Sequence, residues 1–264
     1  MTTYEGRTAL VTGASAGLGA EYARQLAALG ADLVLTARRE DRLAALAAEI
    51  EATGRRARVV PADLSRPDAP GAVMAAAGRI DILVNNAGFG LPGTYDQTTW
   101  DQQRDFIQLM MTACAELAHR ALPGMRAQGW GRIVNVASLA GIVPGSAGHT
   151  LYGATKAFLI SFSQSLAAEG RDAGVRAQAC CPGFTYTEFH DVNGTREQTR
   201  ETPDWMWMQA DDVVAGSLAA LEDGPVVFVP GGANKAIARL ARVIGPAGAA
   251  RLMDRQARKF RRAE

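Results

Sequence analysis

The stretch Thr8–Glu40 reads TALVTGASAGLGAEYARQLAALGADLVLTARRE and decides the fold. Thr8–Thr12 is a short, nearly continuous apolar run, as a strand covered on both faces reads. Leu18–Leu29 then carries apolar residues at helical spacing, and Asp32–Ala37 is a second apolar run. Gly13, Gly17 and Gly19 fall at the first strand-to-helix turn. Strand, crossover helix and strand in this order predict two parallel strands joined by a right-handed crossover.

The same alternation continues along the chain. Further strands are expected at Arg58–Pro61, Ile80–Asn85, Arg132–Ala137, Val175–Cys181 and Pro225–Pro230, with helices at Arg39–Thr53, Thr99–Gln128, Leu151–Ala173 and Asp211–Glu222. Ser65–Gly78 contains Pro67 and Pro70 and predicts a stunted helix. The whole is an α/β chain: a single Rossmann-type, doubly wound domain with a seven-stranded parallel sheet and helices on both faces. No Gly/Ser linker or internal repeat divides it. Residues 1–232 are expected to form the main domain, with a basic helical extension over 233–264.

Composition sets outer limits. The 264 residues are 48% hydrophobic and 21% charged, with a net charge of +1, which gives no reason to expect nucleic acid as a partner. Cys114, Cys180 and Cys181 are odd in number and two are adjacent, which argues against a disulfide framework. No secretory signal and no membrane span is evident, so the expected compartment is cytoplasmic. His119, His149 and His190 have no partners at ligand spacing, and no metal site is expected.

A dinucleotide needs glycine at Gly13, Gly17 and Gly19 because its pyrophosphate approaches the backbone closely and rests on a helix N-terminus. The second strand ends in TARRE, where an acidic residue would accept bonds from a free ribose 2′-hydroxyl. Arg38 and Arg39 stand there instead, and guanidinium groups suit a 2′-phosphate. The expectation is NADP(H).

Ligands of open α/β sheets bind outside the carboxyl ends of the strands. Asn85–Gly88 follows the fourth strand, Ser138 the fifth, and Pro182–Gly183 the sixth. Tyr152 and Lys156, four residues apart, share one helical face near this rim. Taken together, TGASAGLG (12–19), NNAG (85–88), Ser138, YGATK (152–156) and PGFTYT (182–187) resemble the short-chain dehydrogenase/reductase family over roughly Tyr4–Gly232. NNAGFG, SLAG, YGATKAF and PGFTYTEF look like its branch for bulky or lipid-like carbonyls.

The resemblance implies Tyr152 as general acid, Ser138 as the residue that holds the substrate oxygen, and Lys156 as tuner of Tyr152 and partner of the nicotinamide ribose. It implies cofactor contacts from Gly13, Ser15, Ala16, Gly17, Leu18, Gly19, Asp63, Leu64, Asn86, Ala87, Gly88, Pro182, Gly183, Thr185 and Thr187, beside Tyr152, Lys156, Arg38 and Arg39. A free phenol titrates near ~10; Lys156 and oxidised nicotinamide are expected to lower it. The family's dimer faces resemble the two long helices, which suggests a homodimer or homotetramer.

The candidate substrate pocket comprises Phe89, Met110, Leu139, His149, Phe184, Phe189, Trp205 and Trp207. His149 is either a pocket residue or a surface residue of its loop. The resemblance also implies that residues 1–232 are the dinucleotide-binding catalytic domain, with a substrate lid at about 184–210, where the aromatic and Met content suggests a large apolar substrate. One departure stands out: the family's usual Asn, thirteen residues before the Pro of LP, is Met110 here, counted back from Pro123. A backbone carbonyl at residue 110 is expected to replace that side chain's role in a water relay. From Ala233 onward the tail carries about +7 and the remainder about −6, and reads as a basic amphipathic helix pair broken at Gly245–Pro246.

The expected activity is NADPH-dependent hydride transfer to a bulky hydrophobic ketone or aldehyde, or the reverse oxidation of a secondary alcohol. The alternatives are a 3-oxoacyl thioester reductase and, from another class, an NADP-binding sensor or scaffold with impaired turnover.

Overall fold

The computed structural model describes residues 3–91, 93–145, 150–188 and 202–244. Seven strands form one sheet in the order β3-β2-β1-β4-β5-β6-β7. They are β1 (Thr8–Thr12), β2 (Asp32–Thr36), β3 (Ala57–Val59), β4 (Ile82–Asn85), β5 (Gly131–Val136), β6 (Val175–Cys180) and β7 (Val227–Phe228), and every pairing is parallel. The expected fold is borne out.

Helices α1 (Gly17–Ala28), α2 (Glu40–Glu51), α3 (Ala69–Ala77), α4 (Trp100–Ile107), α5 (Ala113–Ala127), α6 (Thr150–Gly170), α7 (Ala210–Asp223) and α8 (Gly232–Val243) surround the sheet. Strand alternation sends Val11, Leu33, Leu35 and Val84 into one core, with Leu26 of α1, Leu43 of α2 and Leu218 of α7. Their neighbours Leu10, Val34, Leu83 and Ile133 point the other way, onto Val73 of α3, Leu117 of α5 and Leu166 of α6. Both sheet faces are therefore dry, which is why several of the strands read as nearly continuous apolar runs.

The expected helix Thr99–Gln128 is not continuous. A π-turn, Gln108–Thr112, separates α4 from α5, and Ala113 N–H donates to the Gln108 carbonyl five residues back. No Gly or Pro marks this position, so the sequence carries no punctuation for it. The tail helix pair is seen only in its first member, α8, since residues 245–264 lie outside the described residues. Among the described residues, no helix is long and apolar enough to cross a membrane, and no cluster of His, Cys, Asp or Glu could hold a metal ion.

Candidate active site at the carboxyl rim

The rim is built on tightly fitted turns. Gly13 and Gly17 adopt φ of 67° and 55°, where a side chain would be strained. A Cβ on Gly13 would come within 2.8 Å of Asn86 Nδ2, and one on Gly19 would collide with the Gly13 carbonyl. The Asn86 side chain ties the glycine loop to β4 by donating to the Thr12 carbonyl at 3.0 Å and the Gly13 carbonyl at 3.3 Å. Thr12 Oγ1 accepts from the backbone N–H groups of Asn86 and Ala87. Ala16, the N-cap of α1, offers no side-chain cap. The first amides of α1 are thus left for an external acceptor, which fits a pyrophosphate. Ser15 and Leu18 flank this turn, both half-buried.

Ser138 and Tyr152 are brought together by a turn that the sequence reading did not single out. Ser138 caps a 3-10 turn, Leu139–Gly141, accepting from the Ala140 N–H at 3.1 Å. Gly141 lies on the backbone of α6: a Cβ there would stand 2.6 Å from the Lys156 carbonyl carbon and 2.7 Å from the Ala157 nitrogen. Only glycine lets the turn close on the helix. The Tyr152 phenol lies close enough to the Ser138 side chain for the latter to lower its pKa. Lys156 Nζ lies 5.6 Å from the centre of the Tyr152 ring and donates to the Val136 carbonyl at 2.7 Å. Leu139 N–H donates to the Pro182 carbonyl, which joins the Ser138 turn to the loop after β6.

The electrostatics differ from expectation in one respect. Burial raises the Tyr152 phenol, and the opposing influence is the Ser138 side chain, not Lys156. The Lys156 ammonium is turned to a backbone carbonyl, and its own pKa is lowered by burial to about 8. Cys114, Cys180 and Cys181 are buried around it; burial pushes the first two thiols up to about 11, so they pack as neutral core groups.

Several expected site residues are placed otherwise. Met110 is 1% exposed and sits in the π-turn, its sulfur 2.8 Å from where a Cβ on Gly88 would stand. It packs behind the NNAG loop and presents no surface to a substrate. Leu64 is in the core beneath α3, so it can serve a cofactor by main chain alone. Trp205 is 69% exposed on the 3-10 turn Asp204–Met206. Arg38 is exposed and makes no hydrogen bond or ion pair among the described residues. His149 and Phe189 lie outside the described residues.

Others converge. Phe184 and Tyr186 pack on Trp207 at ring-centre distances of 5.4 and 4.8 Å. The segment is stitched to Met208 by Tyr186 N–H to the Met208 carbonyl and Met208 N–H to the Phe184 carbonyl. Thr185 is buried and its hydroxyl donates to the Gly183 carbonyl. Gly183 leaves room for Asn234 of α8, whose amide any Cβ there would strike. Asp63 accepts from the N–H and hydroxyl of Ser65, which holds its carboxylate in the turn after β3.

Phe89 meets Phe106 edge to face at 5.4 Å. Phe106 in turn walls a recess beside Tyr152, together with Leu91, Tyr95, Gln103 and Leu151. None of these wall residues was named from the sequence. The available signal was Gln103, a polar residue at i−3 from Phe106 on the inward face of α4. Gln103 is 5% exposed, and its Oε1 has no hydrogen-bond partner among the described residues.

A family model described as short chain dehydrogenase matches residues 7–198. This chain belongs to the short-chain dehydrogenase family. It is therefore an oxidoreductase of a fold that binds a nicotinamide cofactor and acts on a small molecule. Ketoacyl reductase HetN of Nostoc sp. is 37% identical over 188 residues, which cover 70% of this chain and 65% of HetN. A short-chain dehydrogenase from Sphingobium yanoikuyae, in complex with NADPH, is 38% identical at a TM-score of 0.78, covering 85% of this chain and 87% of that one. A bulky-bulky ketone specific alcohol dehydrogenase from Comamonas testosteroni is 32% identical at a TM-score of 0.77, covering 90% and 91%. A short chain dehydrogenase/reductase from Burkholderia phymatum, in complex with NAD, is 26% identical at a TM-score of 0.80, covering 93% and 98%.

Proposed function

We propose that the chain is an NADP(H)-dependent carbonyl reductase, equally an alcohol dehydrogenase in reverse, for ketones or aldehydes with bulky apolar substituents. The observation that carries this is the meeting of Ser138, Tyr152 and Lys156 at the carboxyl ends of β4–β6, with the Lys156 cation 5.6 Å from the Tyr152 ring and the Ser138 side chain beside its phenol. The nicotinamide, when bound, supplies the hydride. Gly13, Gly17, Gly19 and the uncapped start of α1 would hold the pyrophosphate, and Arg38 and Arg39 the 2′-phosphate. Asn86–Gly88 would line the adenosine side, while Thr185 and Thr187 would meet the carboxamide end.

In reduction, Ser138 positions the substrate oxygen, and Tyr152 delivers a proton to that oxygen. Burial keeps the phenol protonated at neutral pH, which suits an acid. Lys156 places a positive charge where the phenolate forms. The apolar wall of Leu91, Phe106 and Leu151 beside Tyr152 supports an apolar substituent on the substrate. The likeness to the Comamonas enzyme supports the same substrate class. The likeness to HetN favours a second reading, a 3-oxoacyl thioester reductase. Consumption of NADPH and of NADH is to be followed on bulky ketones, small ketones and 3-oxoacyl thioesters. Turnover of bulky ketones with NADPH supports the first reading. Turnover confined to thioesters selects the second, and no turnover of any carbonyl overturns both.

A further inference from the structure

One of the two arginines expected at the ribose phosphate, Arg39, already holds an anion, together with Arg42 of α2. Glu188, in the segment after β6, accepts from Arg42 Nη1 through both carboxylate oxygens at 2.7 Å, and from Arg39 Nη1 at 3.2 Å. Arg39 also donates through Nε and Nη2 to Ser15 Oγ at 3.2 and 3.1 Å. Arg39 is the N-cap of α2, directly after β2, so the cluster stands where the adenosine ribose is expected. One residue earlier, Thr187 lies against the glycine loop, 3.2 Å from where a Cβ on Gly17 would stand. The chain from Thr187 to Glu188 thus crosses from the pyrophosphate seat to Arg39 and Arg42.

We propose that Glu188 is a specificity-determining residue that occupies Arg39, meant for the 2′-phosphate, together with Arg42, and that NADPH must displace it, whereas NADH need not. The inference rests on the reading of this chain as an NADP(H) enzyme. Its chemistry is an exchange of acceptors. A carboxylate offers a guanidinium one charge and two oxygens; a phosphate monoester offers about −1.5 to −2 and three oxygens. The exchange is therefore possible, but part of the phosphate's gain is spent on breaking the contacts to Arg39 and Arg42. The bonds from Arg42 and Arg39 hold the Glu188 carboxyl below its usual range, so it stays ionised at neutral pH. Arg39, Arg42 and Glu188 are 40%, 43% and 45% exposed, so the competition takes place in reach of solvent and salt. Arg38, exposed and unengaged among the described residues, adds a third guanidinium for the phosphate alone.

The test is Glu188→Gln, with dissociation constants for NADPH and NADH measured by calorimetry at one fixed salt concentration, beside the unmodified protein and Arg39→Ala. Glutamine keeps the size and removes the charge. NADPH binding is expected to tighten by about fivefold or more while NADH changes by less than about twofold, the coupling free energy of a displaced competitor. Raised salt should shrink the NADPH gain, since it screens the Glu188 pairs already. If Arg39→Ala weakens NADPH but Glu188→Gln leaves it unchanged or weaker, the cofactor reading stands and the competition is wrong. If Glu188→Gln tightens both dinucleotides equally, the effect belongs to the strap and not to the phosphate, and the proposal also falls. If Glu188→Gln tightens NADPH alone in a protein that otherwise shows no NADPH preference, the competition holds and the preference reading is the one that fails.

Discussion

The two ends of the sheet use the same residue types in opposite ways. At the amino-terminal edge, Arg132 is clamped by Glu222 with bonds of 2.7 and 2.8 Å, and Tyr4 donates to the same carboxylate at 3.0 Å. The guanidinium carbons of Arg7 and Arg132 stand over the Trp130 ring, 4.1 and 4.3 Å from its centre. Asp81 receives the Thr8 N–H and pairs with Arg7 and Arg79. Each charge there has an opposite charge facing it. At the carboxyl-terminal edge, the buried Lys156 faces a backbone carbonyl and three neutral thiols, the Gln103 oxygen has no hydrogen-bond partner among the described residues, and Arg39 holds a carboxylate from a different element. Groups saturated by their own chain stabilise the fold, whereas groups left in weak or exchangeable bonds are available to a ligand.

Substitutions that exchange the character of the two ends should give opposite readouts. The largest effect expected is on turnover: Tyr152→Phe should lower it by about a thousandfold or more, some ~4 kcal/mol of barrier. NADPH binding and the thermal midpoint should barely move. At the other end, Glu222→Ala leaves Arg132 buried and unpaired. It should cost about 3–5 kcal/mol of stability in chemical denaturation, with turnover per folded molecule unchanged. Acid should act alike. Burial pushes the Glu222 carboxyl up, but the bonds to Arg132 and Tyr4 outweigh that and hold it below its ordinary value. Its contribution is present above the ordinary carboxylate range and is lost as pH falls through the lowered value. Urea midpoints of Glu222→Gln and the unmodified chain should therefore converge in acid.

Smaller effects sharpen the contrast. Gly141→Ala forces a Cβ against the α6 backbone and should separate Ser138 from Tyr152. Turnover is expected to fall by about ten- to a hundredfold, read beside an unfolding curve to separate it from lost stability. Lys156 predicts a pH slope of unusual sign. Its pKa is lowered from 10.5 to about 8, so between those values the unfolded chain binds the proton and the folded chain does not. Stability should rise as pH climbs through that window, and Lys156→Met should remove the slope. Met110→Asn would bury an amide against Gly88 and should change turnover by less than about tenfold. Trp205→Ala, at an exposed position, should alter substrate binding least of all.

The fold was legible because both faces of the sheet are covered, which turned β1, β2 and β4 into nearly continuous apolar runs. Its edges were less so: β7 shrinks to Val227–Phe228, because short edge strands leave little pattern. Residues that act through backbone geometry, Gly13, Gly17 and Gly19, were readable from spacing. The π-turn was not, since Gln108–Thr112 has the composition of an ordinary helix. Trp205 and Met110 were misplaced for one reason: hydrophobic composition does not say whether a side chain faces a pocket, solvent or core. Gln103 and Gly141 were missed because their roles depend on what packs against them. The pairing of Glu188 with Arg39 and Arg42 joins residues far apart in sequence, and no local pattern announces it.

The central claim is that the Ser138–Tyr152–Lys156 face of the rim reduces a carbonyl with the nicotinamide hydride. The most direct measurement is a single turnover of a bulky ketone with NADPH carrying deuterium at both C4 positions of the nicotinamide, with the product alcohol examined by mass spectrometry. The account predicts one deuterium on the carbinol carbon with the unmodified protein, and NADPH bound but no labelled alcohol with Tyr152→Phe. Labelled alcohol formed at an undiminished rate by Tyr152→Phe, or alcohol formed by the unmodified protein without the label, would contradict it.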